Sequence, residues 1–252
     1  MNPQSSYYNN LNFNLLDAID AQAMRVCEFG CGSGALARAY RKRNPQVHYL
    51  GVDREAEPLA QAADALDASL ACDLNAVADW LQDPAMAAAL PMNAFDVVVF
   101  GDVLEHLYDP EAVLRQAVQR LRPGGQAVAS IPNVQFWPAL LQLIHGHWPR
   151  ADSGLFDRTH IRWFTLRNMR ELFEAAGLTM SSAKPCYTRE SEAQRQRRER
   201  TMALLRPLVQ AEGQDFDQFV RLSRPLQFLL IGRKPVDSSR PGCSRIHPEA
   251  AS

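Results

Sequence analysis

Three consecutive valines, Val97 to Val99, lie in the short segment from Phe95 to Phe100. A strand with one face in water alternates apolar and polar side chains, whereas this segment hardly alternates. Both faces of such a strand must be covered, and in α/β proteins helices on the two faces of a parallel sheet cover them. The valine run therefore predicts a layered α/β fold.

Other short apolar segments alternate along the chain with segments whose apolar residues recur every three or four positions. The first kind is typical of strands and the second of amphipathic helices. Their order predicts a doubly wound, Rossmann-like, mostly parallel sheet of seven strands. The predicted strands are residues 25–29, 47–52, 69–72, 95–100, 127–131, 178–183 and 227–231.

An aromatic-rich stretch, residues 134–163, interrupts this alternation after the fifth predicted strand. It contains Trp137, Trp148 and Trp163, three of the four tryptophans in the chain. Because no strand or long helix is predicted there, we interpret the stretch as an insertion that forms a lid.

The whole chain is expected to consist of three parts. We expect residues 1–24 to form an N-terminal helical cap and residues 25–235 to form one α/β domain. Residues 236–252 are rich in Pro, Ser and Gly and are expected to form a disordered tail. The basic run Arg195 to Arg200 lies in a polar helix whose glutamates dilute its charge, so we predict a solvent-exposed helix face there.

Composition narrows the class of protein. The 252 residues have a formal net charge of −1, so no overall positive charge favours nucleic acid as a partner. Five cysteines without a CxxC pair indicate neither a disulfide framework nor a zinc-type metal site. No stretch reaches the ~20 apolar residues of a membrane span, and the first residues lack the pattern of a secretory signal. We therefore expect a cytoplasmic protein without a membrane span or a metal; oligomeric state is left open.

A glycine-rich segment, Glu28 to Ala35 (EFGCGSGA), joins the first predicted strand to a helix. Glycines let the backbone turn sharply and approach a ligand, and a helix N-terminus offers unpaired amide groups. Asp53 and Asp73 end the next two predicted strands, and a carboxylate at Asp53 can accept both hydroxyls of a ribose. Three strand ends should therefore line the crevice where open α/β sheets bind ligands.

Two cofactor classes fit the glycine segment. Gly30, Gly32 and Ala35 also satisfy the G-x-G-x-x-G/A spacing of dinucleotide-binding proteins. Glu28 lies two residues before Gly30, where a carboxylate would repel a pyrophosphate but pair with an ammonium group. An NAD-dependent oxidoreductase is therefore the less favoured alternative.

Two further motifs accompany the glycine segment: FDVVVFGDVLEHL at residues 95–107 and LRPGG at residues 121–125. Together with EFGCGSG they closely resemble class I S-adenosylmethionine-dependent methyltransferases across residues 25–131. The stretch DRTHIRWFT at residues 157–165 is similar to that of a glycan-pathway subgroup related to the ubiquinone-type O-methyltransferases. The resemblance implies S-adenosylmethionine as cofactor and methyl transfer to oxygen or nitrogen of a small acceptor, a sugar or a quinone-like metabolite. A non-catalytic protein that binds this donor is another alternative.

The resemblance also implies a role for each matching residue. Glu28 would contact the amino group of the donor, Asp53 its ribose hydroxyls, and the three glycines its methionine and ribose. Asp73 and Leu74 would hold the adenine, and the two residues after the fourth strand would lie near the sulfonium. The implied donor-binding positions are Glu28, Gly30, Gly32, Gly34, Asp53, Asp73, Leu74, Asp102 and Val103.

Methyl transfer from a sulfonium needs in-line alignment and exclusion of water, but an oxygen or nitrogen acceptor can also need a base. His160 is the first candidate base and His106 the second, because imidazole titrates near neutral pH. Asp157, three residues before His160, is expected to fix the tautomer of its ring. The tryptophan faces of residues 134–163 are expected to cover the methyl end of the donor and contact the acceptor.

Overall fold

The computed structural model describes residues 11–236. Its seven strands are β1 (Arg25–Phe29), β2 (His48–Asp53), β3 (Ala68–Ala71), β4 (Phe95–Gly101), β5 (Leu121–Pro132), β6 (Thr179–Cys186) and β7 (Gln227–Arg233). They form one sheet in the order β3-β2-β1-β4-β5-β7-β6. Strands β1 to β5 pair in parallel, and β7 runs antiparallel between β5 and β6. The predicted doubly wound, mostly parallel sheet is confirmed.

Helices lie on both faces of the sheet. They are α1 (Phe13–Ala18), α2 (Ala35–Arg43), α3 (Ala56–Gln61), α4 (Pro84–Ala89), α5 (Pro110–Arg120), α6 (Trp137–Ile144), α7 (Leu166–Ala175), α8 (Glu192–Ala211) and α9 (Phe216–Ser223). A 3₁₀ turn, Leu104–His106, follows β4.

Strand β4 shows why the valine run requires two covering layers. Val97 and Val99 belong to the apolar cluster that includes α1 and α2. Val98 and Phe100 point to the opposite cluster, which includes α5 and α7. All four side chains are fully buried. Successive residues of a strand point to opposite faces, so an unalternated apolar strand needs helices on each side.

Several strands extend beyond their predicted ends, and β5 and β6 show the reason. β5 begins at Leu121, which pairs with Phe95, and the register then shifts before Val97 pairs with Gln126. The strand therefore continues through the Arg-Pro-Gly-Gly turn instead of starting at Ala127. β6 extends to Cys186 because β7 supplies hydrogen-bonding partners along that whole length. Pairing with a neighbour, which local sequence does not show, sets both limits.

The predicted N-terminal cap is only partly described. Within residues 1–24 the structure shows the six-residue helix α1, and Asn12 caps it by accepting hydrogen bonds from the amides of Asn14 and Leu15. Residues 1–10 lie outside the described range, as do residues 237–252 of the predicted tail.

The segment after β5 lies beside the carboxyl end of β4. The amide of Val134 donates to the carbonyl of Phe164 over 2.9 Å, which closes the segment at its base. The amides of Ile161 and Arg162 both donate to the carbonyl of Glu105, each over 3.0 Å. These contacts place residues 155–163 next to the 3₁₀ turn. That the segment is an inserted lid stays a prediction.

The basic run on α8 is exposed with one exception. Arg198 is buried, and its Nε lies 3.1 Å from Oε1 of Glu190. The same oxygen accepts a hydrogen bond from the indole of Trp137 over 3.1 Å. The prediction of a solvated face is therefore wrong at Arg198, because tertiary packing supplies a buried carboxylate. No helix within residues 11–236 has both the length and the apolar character needed to span a membrane.

Candidate active site

The glycine segment forms the loop between β1 and α2, and its three glycines adopt left-handed backbone conformations. Gly30, Gly32 and Gly34 have φ values of 72°, 51° and 79°. A Cβ atom on Gly30 would lie 2.5 Å from Cγ2 of Val103. The loop after β1 therefore touches the residue that follows Asp102, and two of the predicted donor-binding segments meet there.

Two buried carboxylates flank this loop. Glu28, on β1, is 5% exposed, and Asp53, at the end of β2, is 8% exposed. The amide of Gly32 donates to Oδ2 of Asp53 over 2.8 Å, and the hydroxyl of Tyr49 donates to Oε2 of Glu28 over 2.9 Å. Burial raises the pKa of Glu28 to about 8, and the charge of Asp53 adds to the increase.

The adenine positions follow β3, which ends at Ala71. Asp73 is exposed and accepts a hydrogen bond from the amide of Asn75 over 2.9 Å, whereas Leu74 is buried. Asn75 in turn donates to the carbonyl of His106 over 3.2 Å. Asn75 therefore connects the end of β3 to the turn after β4.

Asp102 occupies a backbone conformation that few non-glycine residues adopt. Its φ is 55°, and its Oδ1 accepts a hydrogen bond from Nε2 of Gln227 over 2.5 Å. Burial raises the pKa of Asp102 to about 6. Left-handed conformations at such positions are maintained only where surrounding contacts fix them, and they cluster at functional sites.

This arrangement fits S-adenosylmethionine. Among the described residues, besides burial, only the Tyr49 hydroxyl and the Asp53 charge shift the pKa of Glu28, so no basic side chain compensates it. An ammonium group beside Glu28 would supply the missing positive charge. The structure thus brings the predicted donor-binding residues to one edge of the sheet.

The two candidate bases, His106 and His160, are in contact. Their ring centroids are 4.7 Å apart in an edge-to-face arrangement. Nδ1 of His106 lies 3.1 Å from the carbonyl oxygen of Thr159, and Nδ1 of His160 lies 3.0 Å from that of Leu155. A carbonyl can only accept, so we assign the proton to Nδ1 in both rings, which leaves an Nε2 lone pair on each. Burial lowers the pKa of both histidines.

Asp157 does not have the predicted role. Its Oδ1 accepts hydrogen bonds from the amide and hydroxyl of Thr159, over 2.8 and 2.6 Å. The carbonyl of Leu155 fixes the tautomer of His160 instead. The prediction was wrong because a sequence separation of three residues does not determine which way a loop side chain points.

Glu105 lies directly behind the histidines and was not predicted. It is 1% exposed, and within the described range neither carboxylate oxygen has a hydrogen-bond partner. Oε1 lies 3.8 Å from Nε2 of His160. Burial, with a contribution from the charge of Asp102, raises the pKa of Glu105 well above its usual range.

Glu105, His106 and His160 also offer one ligand atom each within 4.8 Å of one another. In residues 11–236 this is the one group of three such side chains close enough to be a candidate for holding a metal ion. Sequence spacing did not reveal it, because His160 lies more than fifty residues after the other two.

The tryptophans after β5 divide into two groups. Trp148 packs edge-on against Phe156 and Trp163, with centroid distances of 5.0 and 5.8 Å, and Trp163 is 45% exposed. Trp137 instead is buried in a cluster with Met202 of α8. Only the Trp148 group therefore offers ring surface to a ligand.

Four residues of the site were missed by sequence reasoning: Tyr49, Asn75, Glu105 and Gln227. Tyr49 could have been found, because the two-residue period of a strand puts it on the same face as Asp53. The amide of Gln227 reaches Asp102 across 125 positions, and nothing local indicates that contact.

A family model described as "Methyltransferase domain" matches residues 4–183. The "Ubiquinone biosynthesis O-methyltransferase" of Stutzerimonas stutzeri (strain A1501) is 35% identical over 127 residues, 50% of this chain and 52% of that protein. The chain thus spans about half the length of the curated relatives it matches.

Solved structures share the fold. A SAM dependent methyltransferase from Archaeoglobus fulgidus aligns with a TM-score of 0.58 at 14% identity, covering 92% of this chain and 98% of the other. A possible histamine N-methyltransferase from Thermotoga maritima aligns with a TM-score of 0.55 at 14% identity, covering 88% and 86%.

The family match extends from before the glycine loop to within β6, so it includes every predicted donor-binding residue. It therefore sets aside the nicotinamide-dependent alternative. The same match supports S-adenosylmethionine as the cofactor. The chain belongs to the methyltransferase-domain family, as the resemblance of its motifs to class I S-adenosylmethionine-dependent methyltransferases predicts.

Proposed function

We propose that this protein methylates a hydroxyl oxygen of a small acceptor, aromatic or sugar-like, in the cytoplasm, and that His106 removes the acceptor's proton. The paired histidines beside the donor-binding edge are the observation that carries the proposal. The names of the curated relatives support oxygen as the acceptor atom. Nitrogen is the alternative acceptor atom, and the name of the possible histamine N-methyltransferase that shares the fold supports keeping it.

In the proposed donor site, Glu28 binds the ammonium group, Asp53 the ribose hydroxyls, and Asp73 and Leu74 the adenine. Gly30, Gly32 and Gly34 leave room for the methionine and ribose, and Asp102 and Val103 line the reacting end. When bound, the donor supplies a methyl group already activated by its sulfonium. The protein then has to align the acceptor, exclude water and receive a proton.

His106 suits proton removal better than His160. His106 is half-buried, so one side of its ring can reach a ligand, whereas the side chain of His160 is only 5% exposed. His160 packs behind His106, where Nε2 faces Glu105. We therefore assign His160 to positioning His106, and the first candidate from the sequence becomes the supporting residue.

The exposed ring surface of Trp148, Phe156 and Trp163 supports a flat or sugar-like acceptor. Aromatic faces stack on aromatic rings and on the apolar faces of sugars. The amides of Ile161 and Arg162 hold this segment against the carbonyl of Glu105, next to His106. The proposed acceptor site therefore lies between the Trp148 group and the histidine pair.

The test is a screen of phenols, catechols, sugars and amines with labelled S-adenosylmethionine, followed by variants of the histidines. We expect His106→Ala to lower turnover about 10²- to 10⁴-fold without changing donor affinity. The wild-type rate should rise with pH through a limb below 6.5, because burial lowers the histidine pKa and the neutral ring is the base. That limb should be absent in His106→Ala.

His145→Ala is the matched control, since this histidine is exposed at the end of α6. It should leave turnover and the pH profile unchanged. If His106→Ala kept both the rate and the acidic limb, with chemistry rate-limiting, the base assignment would be wrong. Donor binding without methylation of any acceptor would favour a non-catalytic S-adenosylmethionine-binding protein.

A further inference from the structure

Tyr49 and Glu28 form a buried pair beneath the glycine loop. The Tyr49 hydroxyl is 2.9 Å from Oε2 of Glu28, and Tyr49 itself is fully buried. Strand register places them together, because Glu28 pairs with Gly51, two residues after Tyr49 on the same face of β2. Within the described residues nothing donates a hydrogen bond to the other carboxylate oxygen, Oε1, so this oxygen is left for a ligand.

The groups around Glu28 disfavour its ionised form unless a cation is present. Burial is the largest cause of its raised pKa, and the carboxylate of Asp53 adds to it, whereas the hydrogen bond from Tyr49 opposes it. Cys27, on the opposite face of β1, and Cys31 also interact with it electrostatically, and burial raises the pKa of both thiols, so they are neutral. Tyr49 is therefore the one described side chain that stabilises the Glu28 carboxylate.

We propose that Tyr49 is a positioning residue for the methyl donor: its hydroxyl holds Glu28 with Oε1 directed at the donor's ammonium group and stabilises the carboxylate. The proposal rests on the donor site proposed above, in which Glu28 binds that ammonium. Binding then requires ionised Glu28. Below pH about 8 the donor should therefore displace a proton, and its affinity should rise with pH up to that value.

The test compares two ligands by calorimetry. S-adenosylhomocysteine carries the ammonium group, whereas 5′-methylthioadenosine lacks the whole amino-acid portion. Tyr49→Phe should weaken S-adenosylhomocysteine about tenfold at pH 7, the typical effect of losing a hydrogen bond to a charged group. Its effect on 5′-methylthioadenosine should be negligible, because that ligand does not contact Glu28.

Tyr40→Phe is the matched control. Tyr40 is also a fully buried tyrosine with a donating hydroxyl, but that hydroxyl binds the carbonyl of Asp20 over 2.6 Å. It should not change the ratio of the two affinities. In Tyr49→Phe the pH at which S-adenosylhomocysteine affinity levels off should also move upward, because the hydroxyl lowers the Glu28 pKa. A merely structural role would not move this pH.

The Glu28→Gln variant distinguishes a failure of the donor-site assignment from a failure of the role proposed for Tyr49. If it leaves S-adenosylhomocysteine affinity unchanged, the donor-site assignment of Glu28 fails. If it weakens that ligand but Tyr49→Phe does not, or if Tyr49→Phe weakens both ligands equally, the role of Tyr49 is overturned. If the proposal is right, Tyr49→Phe should change S-adenosylhomocysteine affinity little when Glu28→Gln is already present. None of these readouts depends on turnover, so they are independent of the acceptor.

Discussion

At the residue scale, Gly30 shows how one position serves both the backbone and its neighbours. Its φ of +72° lies in the left-handed region, and a Cβ there would lie 2.5 Å from Val103. The first fact disfavours any side chain through local strain, and the second through a clash with another segment. Gly213 has a similar φ of +69°, but a Cβ there would meet nothing within 4 Å.

These two glycines give a paired prediction. Gly213→Ala should lower the free energy of unfolding by about 1–2 kcal/mol, the strain of a left-handed alanine. Gly30→Ala should lower it by about 2–4 kcal/mol, because displacing Val103 adds an overpacking term. Donor affinity should fall only for Gly30→Ala. Denaturant unfolding and calorimetry measure these changes, and equal losses from both variants would contradict the clash.

At the element scale, α8 shows that one residue of a charged run can be buried although the run as a whole predicts an exposed helix face. Five of the six residues from Arg195 to Arg200 are exposed, as the charge pattern predicts. Arg198 turns inward and joins Glu190, which also holds the indole of Trp137. Glu190, just before α8, thus connects Arg198 of that helix with Trp137 at the start of α6.

Arg198→Ala should therefore lower the free energy of unfolding by about 1–3 kcal/mol, because it leaves the half-buried Glu190 carboxylate with one partner fewer. The control is Arg195→Ala, which removes an exposed pair with Glu192 on the same helix. Exposed pairs of this kind contribute little, so its melting temperature should match the wild type. Similar melting temperatures for the two variants would show that the inward pair is not a stabilising contact.

At the scale of the whole molecule, hydrogen bonds of Lys234, just after β7, attach the end of the last strand to the rest of the sheet. Its backbone exchanges hydrogen bonds with Gly124 and Gly125, each over 2.9 Å. Its Nζ lies 2.7 Å from the carbonyl of Leu121 and 2.9 Å from Oδ1 of Asn93. The contacts of the sheet therefore extend at least through Lys234, and the domain boundary at residue 235 stays a prediction.

Two truncations test this boundary. Removing residues 236–252 should change the melting temperature little, because that sequence lacks apolar periodicity. Removing residues 234–252 should lower the free energy of unfolding by about 1–3 kcal/mol, since the hydrogen bonds of Lys234 are lost. Thermal unfolding of both truncated proteins measures these changes. A large drop in melting temperature when residues 236–252 are removed would place part of them in the folded domain.

Sequence by itself determined the features that depend on local spacing. The valine run required a sheet covered on both faces, and the glycine loop with its following carboxylates predicted the donor edge. The start of α7 depends on local spacing in the same way, because its N-cap Thr165 forms a capping box with Asn168. These properties are carried by residues a few positions apart, so a pattern is enough to read them.

The tertiary structure alone decided which distant groups meet. Glu105 directly precedes the predicted His106 in the sequence. It belongs to the candidate site because His160, more than fifty positions later, packs against it. The same holds for Gln227 on Asp102 and for Tyr49 on Glu28, whose contacts depend on strand order and register. The physical reason is that burial and proximity set the pKa and orientation of these groups, and both are properties of the assembled sheet.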